Sequence, residues 1–148
     1  MAACTFFGHH DCPLEIEPMI EASLCWLIKE HGVRTFYVGN HGNFDCLVAR
    51  CLRRLAQDDP KIRYSVVLAY LPTPEQTPEN SLFPEGIEAI HPRYAISWRN
   101  RWMLQHSDCV IAYVTHSFGG AARYTDLAER QGKTVINIAK TDMGSNVG

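Results

Sequence analysis

An unbroken apolar run from Cys109 to Val114 passes directly into Thr115, His116, Ser117, Phe118, Gly119 and Gly120, and then into helix-forming residues from Ala121. A run this apolar, without alternation, reads as a strand buried on both faces, which is the kind parallel sheets use and which needs helices above and below it. The turn that follows brings two consecutive glycines to the carboxyl edge of the sheet. There the backbone can pass close to a ligand and the first free N–H groups of a helix can point at an anion. Ligands of open α/β sheets collect at this edge, so the segment predicts a phosphate-binding turn. An ordinary sharp turn is the alternative that paired glycines alone leave open.

The rest of the chain repeats the same grammar. Cys4 to Phe7 is a short apolar strand that stops at Gly8-His9-His10-Asp11. Pro13 opens a helix whose apolar positions Ile16, Met19, Ile20, Leu24, Leu27 and Ile28 keep helical spacing until Gly32 stops it. Thr35 to Val38 is a second strand, followed by Gly39-Asn40-His41-Gly42-Asn43. From Phe44 a stripe through Leu47, Val48, Cys51, Leu52 and Leu55 predicts a helix with Arg50, Arg53 and Arg54 on its solvated side. Tyr64 to Tyr70 is the third predicted strand, Arg93 to His106 a helix carrying Trp98 and Trp102, and Thr134 to Ile138 the last strand. Residues 71–92 carry five prolines and form a connection far longer than the usual ~4–6 residues, either a lid over the ligand or a surface excursion; Leu82, Phe83, Pro84 and Ile87 give it docking points and favour the lid. Residues 1–139 are expected to form one domain and 140–148 a disordered tail.

Strands alternating with helices imply an α/β fold, a Rossmann-like three-layer sandwich with a parallel sheet in strand order 3-2-1-4-5. In that order the first and fourth strands are neighbours and the crossovers reverse between them, so the loops after them face each other across a crevice. Candidate ligand-binding residues therefore lie in the strand-end loops. They are Gly8, His9 and His10; Gly39, Asn40, Gly42, Asn43 and Asp45; and Thr115, His116, Ser117, Phe118, Gly119 and Gly120. His9, His10, His41 and His116 raise the question of a metal, but none has a helical partner four residues away or a Cys or Asp at ligand spacing, so no metal site is assigned. No cofactor is expected.

Composition narrows the partners. A formal net charge of -2 over 148 residues lacks the basic stripe of a general nucleic-acid binder, so nucleic acid is not the expected partner. Cys4, Cys12, Cys25, Cys46, Cys51 and Cys109 show no C-x-x-C spacing and read as reduced thiols. Without a long apolar run or a basic-then-apolar leader, the expectation is a cytoplasmic protein with no membrane partner.

Four segments together, Thr5 to Pro13, Phe36 to Asp45, Arg99 to Met103 with Ser107-Asp108, and Thr115 to Ala121, resemble the small stand-alone proteins of the SLOG superfamily, which joins the DprA/Smf and Lonely Guy proteins. The resemblance covers nearly the whole chain to about residue 139. It implies a Rossmann-like domain that binds nucleotides or nucleotide-derived signals, of ADP-ribose or cyclic-nucleotide type, and that assembles as a homodimer or higher homo-oligomer. The Lonely Guy phosphoribohydrolases carry an arginine four residues before a methionine. Arg99 stands so before Met103, which makes Arg99 and its neighbour Asn100 site candidates by resemblance. Their glycine turn reads P-G-G-x-G-T-x-x-E. Here Gly119 and Gly120 match, Phe118 replaces the proline, Ala122 and Arg123 replace Gly-Thr, and Asp126 replaces the glutamate behind a turn about four residues longer.

Three functions follow from these readings. The first is a non-catalytic binder that senses or sequesters a nucleotide-derived molecule, with helix N-termini for phosphates, Asp45 for ribose hydroxyls and Tyr70, Tyr113 or Phe118 to cover a base. The second is a nucleoside monophosphate phosphoribohydrolase in which Arg99 and Asp126 are the catalytic pair. A shorter carboxylate behind a lengthened turn counts against it. The third is a DprA-like DNA-processing interaction domain, against which net acidity counts.

Overall fold

The computed structural model describes residues 2–71, 75, 77, 78 and 80–139. The expected tail at 140–148 and part of the 71–92 connection lie outside the described residues.

Six parallel strands form the sheet. β1 (Ala3–Gly8) pairs with β2 (Thr35–Val38) on one side and β5 (Cys109–Tyr113) on the other; β2 pairs with β3 (Arg63–Val67), and β5 with β6 (Thr134–Asn137). β4 (Ser81–Leu82) adds to the outer side of β3, giving the order β4-β3-β2-β1-β5-β6. The five strands read from the sequence take the expected order, and the difference is this added edge. Two residues are too few to show a period, and they sit among prolines, so no sequence pattern marked them. The third strand is also shorter than its apolar run: it ends at Val67, and Leu68 and Ala69 continue as buried irregular chain.

Period-two alternation divides the strand side chains between two cores. Cys4, Phe6, Phe36, Val38 and Ile111 pack against α1 (Glu17–His31) and α2 (Gly42–Asp58) through Leu24, Leu27, Phe44, Leu47 and Leu52. Phe7, Val67, Val110 and Ala112 point the other way, to α3 (Pro92–Gln105) and α4 (Gly120–Arg130), where Met103, Leu104, Tyr124 and Ala128 meet them. The half-buried Trp102 packs edge-on against Tyr37. Arg50 and Arg54 do not simply face water but ion-pair with Glu17, tying α2 to α1.

Of the described part of the 71–92 connection, Ser81 and Leu82 extend the sheet. Ile87 packs with Ala69 and Ala95 in a small core of its own. At the other end of β5, Asp108 fixes the strand's start, accepting the Ala3 amide through its carboxylate (3.1 Å) and donating its own amide to the Ala3 carbonyl (2.8 Å).

β1 ends hard against α2. A Cβ on Gly8 would lie 2.2 Å from Cγ and 2.3 Å from Cδ2 of Phe44, so the first turn of α2 rests directly on the backbone of β1. That contact sets how near the loops after β1 and β2 lie. Gly8→Ala is expected to lose about 2–3 kcal/mol of stability in denaturant titration, as overpacking does. In a Phe44→Ala background, where the ring is gone, the added methyl should cost less than half as much.

Candidate functional site

The crossovers on one face of the sheet run through α1 and α2 and those on the other through α3 and α4, so the direction of winding changes between β1 and β5. The loops after these strands leave a cleft of about 400 Å³ at the carboxyl edge, lined by Gly8, His9, His10 and Asp11, by His41 and Asp45, by Ile96, Arg99, Asn100 and Met103 of α3, and by His116, Gly119, Gly120 and Ala121.

Arg99 is 2 % exposed although it carries a charge. One terminal nitrogen donates to the Val67 carbonyl (2.9 Å) at the end of β3 and reaches Asn40 Oδ1 at 3.4 Å. Nε donates to Asn100 Oδ1 (2.9 Å), and the second terminal nitrogen lies 3.4 Å from His41 Nδ1. A guanidinium has five N–H donors, so two good bonds and two long ones leave capacity for another acceptor. Among the described residues Arg99 makes no ion pair. Gly39 is tucked beneath this group: a Cβ there would lie 2.9 Å from both the Arg99 guanidinium and Asp45 Oδ2.

Asp45 Oδ2 accepts the amide of His41 (2.9 Å) just before α2, and the Asn43 amide of its first turn donates to the His10 carbonyl (2.8 Å). Burial pushes the Asp45 carboxyl up to about 6, against the downward pull of the His41 amide and the Arg99 charge. Burial, with Arg99 nearby, pushes His41 below the ordinary histidine value, and burial with His116 alongside does the same to His9. Both imidazoles are therefore neutral near pH 7. His9 Nε2 accepts the Thr115 amide (3.0 Å), which leaves its proton on Nδ1.

The opposite wall is the start of α4. Gly119 holds φ +92°, a conformation that a side chain would strain, and no side chain caps the helix. Its first intrahelical bond runs from Arg123 to the Gly119 carbonyl, and among the described residues the amides of Gly120, Ala121 and Ala122 have no partner. A Cβ on Gly120 meets nothing within 4 Å.

Of the residues nominated from sequence, Gly8, His9, His10, Asp45, Arg99, Asn100, His116, Gly119 and Gly120 line this cleft together. Gly39 and Asn40 touch Arg99 from below, while Gly42 (φ +86°) packs under His10 and Asn43 holds the loop after β1. Thr115 and Ser117 line a second depression of about 430 Å³ on the far side of the 114–119 loop. Asp126 is there too, paired with Arg130 at 2.9 Å, and Arg99 is not. Phe118 lines neither space and is 70 % exposed.

Phe6, Phe7, Asp11, Ile96, Met103 and Ala121 are cleft residues outside the nominated set, and His41, raised from sequence among the strand-end histidines, lines it too. Ile96 and Met103 stand three before and four after Arg99, the helical spacing that puts them on its face, so the signal was present once Arg99 was chosen. Among the described residues no cluster of three or more His, Cys, Asp or Glu is placed to hold a metal, and no helix is long and apolar enough to cross a membrane.

A doubly wound Rossmann-like α/β domain with a polar cleft at its switch point is the class these features define. Among solved structures, DNA processing protein A (DprA) from Streptococcus pneumoniae shares the fold, with a TM-score of 0.66 and 15 % identity over 91 % of this chain and 49 % of that one. DprA from Helicobacter pylori, whose structure concerns its single-stranded DNA binding mode, aligns with a TM-score of 0.56 and 12 % identity over 98 % of this chain and 73 % of that one. The chain thus spans about half the length of the Streptococcus pneumoniae protein, and at these identities the likeness is one of fold. No family model matches the chain, and no curated protein matches it in sequence.

Asp45 supplies a pH test of this geometry. Its folded value of about 6 lies above its ordinary 3.8, so the native state holds the proton more tightly than the unfolded chain. Stability from this group is fullest below pH 3.8 and falls as pH rises through about 6. His9 and His41 act in the opposite sense, costing stability as pH falls below their ordinary 6.5. Asp45→Asn keeps an acceptor for the His41 amide and removes the charge. It is expected to be about 1–2 kcal/mol more stable than wild type at pH 8, with the gain gone by pH 4, in denaturant titrations across that range.

Proposed function

We propose that this protein binds a phosphate-bearing, nucleotide-type small molecule in the cleft between the loops after β1 and β5, and acts as a sensor or sequestering protein. The observation that carries this reading is the buried Arg99 guanidinium, with donor capacity to spare, lining the same cleft as the uncapped start of α4. A phosphate accepts from both: the guanidinium gives charge-assisted hydrogen bonds, and the amides of Gly120 and Ala121 are the ordinary anion site of a helix N-terminus. Asp45 offers an acceptor to ribose hydroxyls. The SLOG resemblance and the DprA-like fold support the same place for a ligand.

Single-stranded DNA is the second reading, favoured by the fold shared with a protein whose structure concerns that ligand. The same phosphate chemistry would serve. A net charge of -2, with Arg50, Arg54 and Arg130 already ion-paired, supports the small molecule over a long polyanion. For the phosphoribohydrolase reading, Arg99 and Asp126 would have to act on one substrate. Their separate cavities and the Asp126–Arg130 pair support binding without turnover.

Mass spectrometry of molecules released by heat from the purified protein, with a nucleotide panel in thermal-shift format, identifies the ligand. At ~100-fold excess over its dissociation constant it should add about 2.7 kcal/mol of stability. An oligonucleotide titrated across salt concentrations tests the DNA reading, since phosphate contacts to a polyanion weaken steeply with salt. Arg99→Ala is expected to weaken AMP by roughly 1.5–3 kcal/mol and leave adenosine nearly unaffected. Gly120→Val, whose Cβ meets nothing within 4 Å beyond its own helix and chain neighbours, should block AMP while the melting temperature holds. Equal loss of AMP and adenosine in Arg99→Ala would reduce Arg99 to a structural role.

Incubation with AMP should release no free adenine, and Asp126→Asn should change AMP affinity less than Arg99→Ala does. Turnover that Asp126→Asn abolishes would replace the binder by the hydrolase.

A further inference from the structure

Three rings stack in one column beside the cleft. His9 lies face to face with His116 at 3.7 Å and 15°, and His116 lies on Phe118 at 3.8 Å and 17°. Both ends of the loop are pinned in this arrangement: the Thr115 amide donates to His9 Nε2, and His116 Nδ1 lies 3.0 Å from the Phe118 carbonyl. His9 is neutral and nearly buried, so the column starts from a fixed, uncharged base. It ends on Phe118, 70 % exposed, with one face against His116.

A phenyl ring left this open costs apolar exposure that a serine or glycine in the same turn would avoid. What the column offers in return is a rigid π surface, presented one residue before Gly119 and the anion-binding start of α4. A planar ring laid on it continues a stack whose spacing is already that of stacked aromatic groups. Tyr70 and Tyr113, the other sequence candidates for this task, are less available: the Tyr70 hydroxyl is bonded to the Pro92 carbonyl, and the Tyr113 side chain is half-buried against His9.

We infer that the outer face of Phe118 is a nucleobase platform, extending the His9–His116–Phe118 stack by one ring, for a ligand whose phosphate occupies the start of α4 beside Arg99. This rests on the proposed nucleotide reading of the cleft and adds to it the part of the ligand that gives affinity beyond phosphate. Base–aromatic stacking tolerates every base, so the platform selects for a base without naming which one. The base arrives on a free nucleotide or on a single strand, and the two sources separate by experiment.

The test measures AMP, ribose 5-phosphate and a ten-residue oligo(dA) against wild type, Phe118→Ala and Phe118→Trp by calorimetry. Phe118 is exposed, so both variants should fold, which circular dichroism checks. Phe118→Ala is expected to weaken AMP about tenfold and leave ribose 5-phosphate unchanged, with Phe118→Trp restoring AMP. Stacking should also lower the adenine absorbance on binding to wild type and to Phe118→Trp but not to Phe118→Ala. The same loss for oligo(dA) alone would assign the base to single-stranded DNA.

AMP binding unaffected by Phe118→Ala overturns the platform while the cleft reading stands, and so does equal loss of AMP and ribose 5-phosphate, which would make Phe118 a prop of the phosphate turn. A changed sedimentation coefficient with unchanged AMP affinity would also overturn it, giving this face to a second copy of the chain. Failure of wild type to bind any of the three probes overturns the cleft reading and the platform together.

Discussion

A guanidinium held out of water is the constraint on which the functional end of this molecule depends. Burying a cation costs several kcal/mol unless it is bonded on every side, and Arg99 recovers part of that by tying three elements together. Its bond to the Val67 carbonyl reaches the end of β3, its contacts to Asn40 and His41 hold the loop after β2, and Asn100 fixes its stem on α3. Gly39 is the residue that lets this happen, since any side chain there would occupy the space of the guanidinium and of Asp45. The charge itself stays uncompensated by an ion pair among the described residues. Burial holds the Asp45 carboxyl up at about 6 although the Arg99 charge pulls it down, and among the described residues the two make no ion pair.

The layered sheet was legible because its two central strands are short, almost wholly apolar runs. Cys4 to Phe7 and Cys109 to Val114 admit no other environment than a covered parallel sheet, and the Gly-rich loops after them mark its carboxyl edge. The edge strand Ser81–Leu82 was not legible, since its existence depends on two backbone groups reaching β3 and not on any side-chain pattern. Arg99 illustrates the same limit differently. Composition and period place an arginine on the solvated side of a helix, and only the family resemblance singled it out; its burial is decided by Val67 and Asn40, more than thirty residues away in sequence.

The glycine turn shows how a local departure changes what a site can do. The lengthened loop from Val114 to Gly119 does not hang free but folds back, with Val114 held by Asn137, Thr115 by His9 and His116 stacked between two rings. This rolled loop stands between the cleft and the depression that contains Asp126, so the carboxylate and the buried arginine face different spaces.

α2, α3 and α4 all begin at this edge, and each is finished differently. α2 carries its own carboxylate at its start: Asp45 accepts from the His41 amide just before the helix, and the Asn43 amide donates to the His10 carbonyl. An anion there would compete with a carboxylate already in place. α3 is capped by His91 Nδ1 accepting from Arg93 (3.0 Å). α4 opens with no acidic residue in its first turn and, among the described residues, with the amides of Gly120, Ala121 and Ala122 unserved, and burial keeps the His9 imidazole beside it below the ordinary histidine value. The positive end of the helix dipole and the Arg99 guanidinium then act on the same volume from two walls, while Asp45 repels a second negative group from the α2 side. The cleft is accordingly polar in a directed sense, with donors on the side of α4 and Arg99 and an acceptor carboxylate on the side of Asp45.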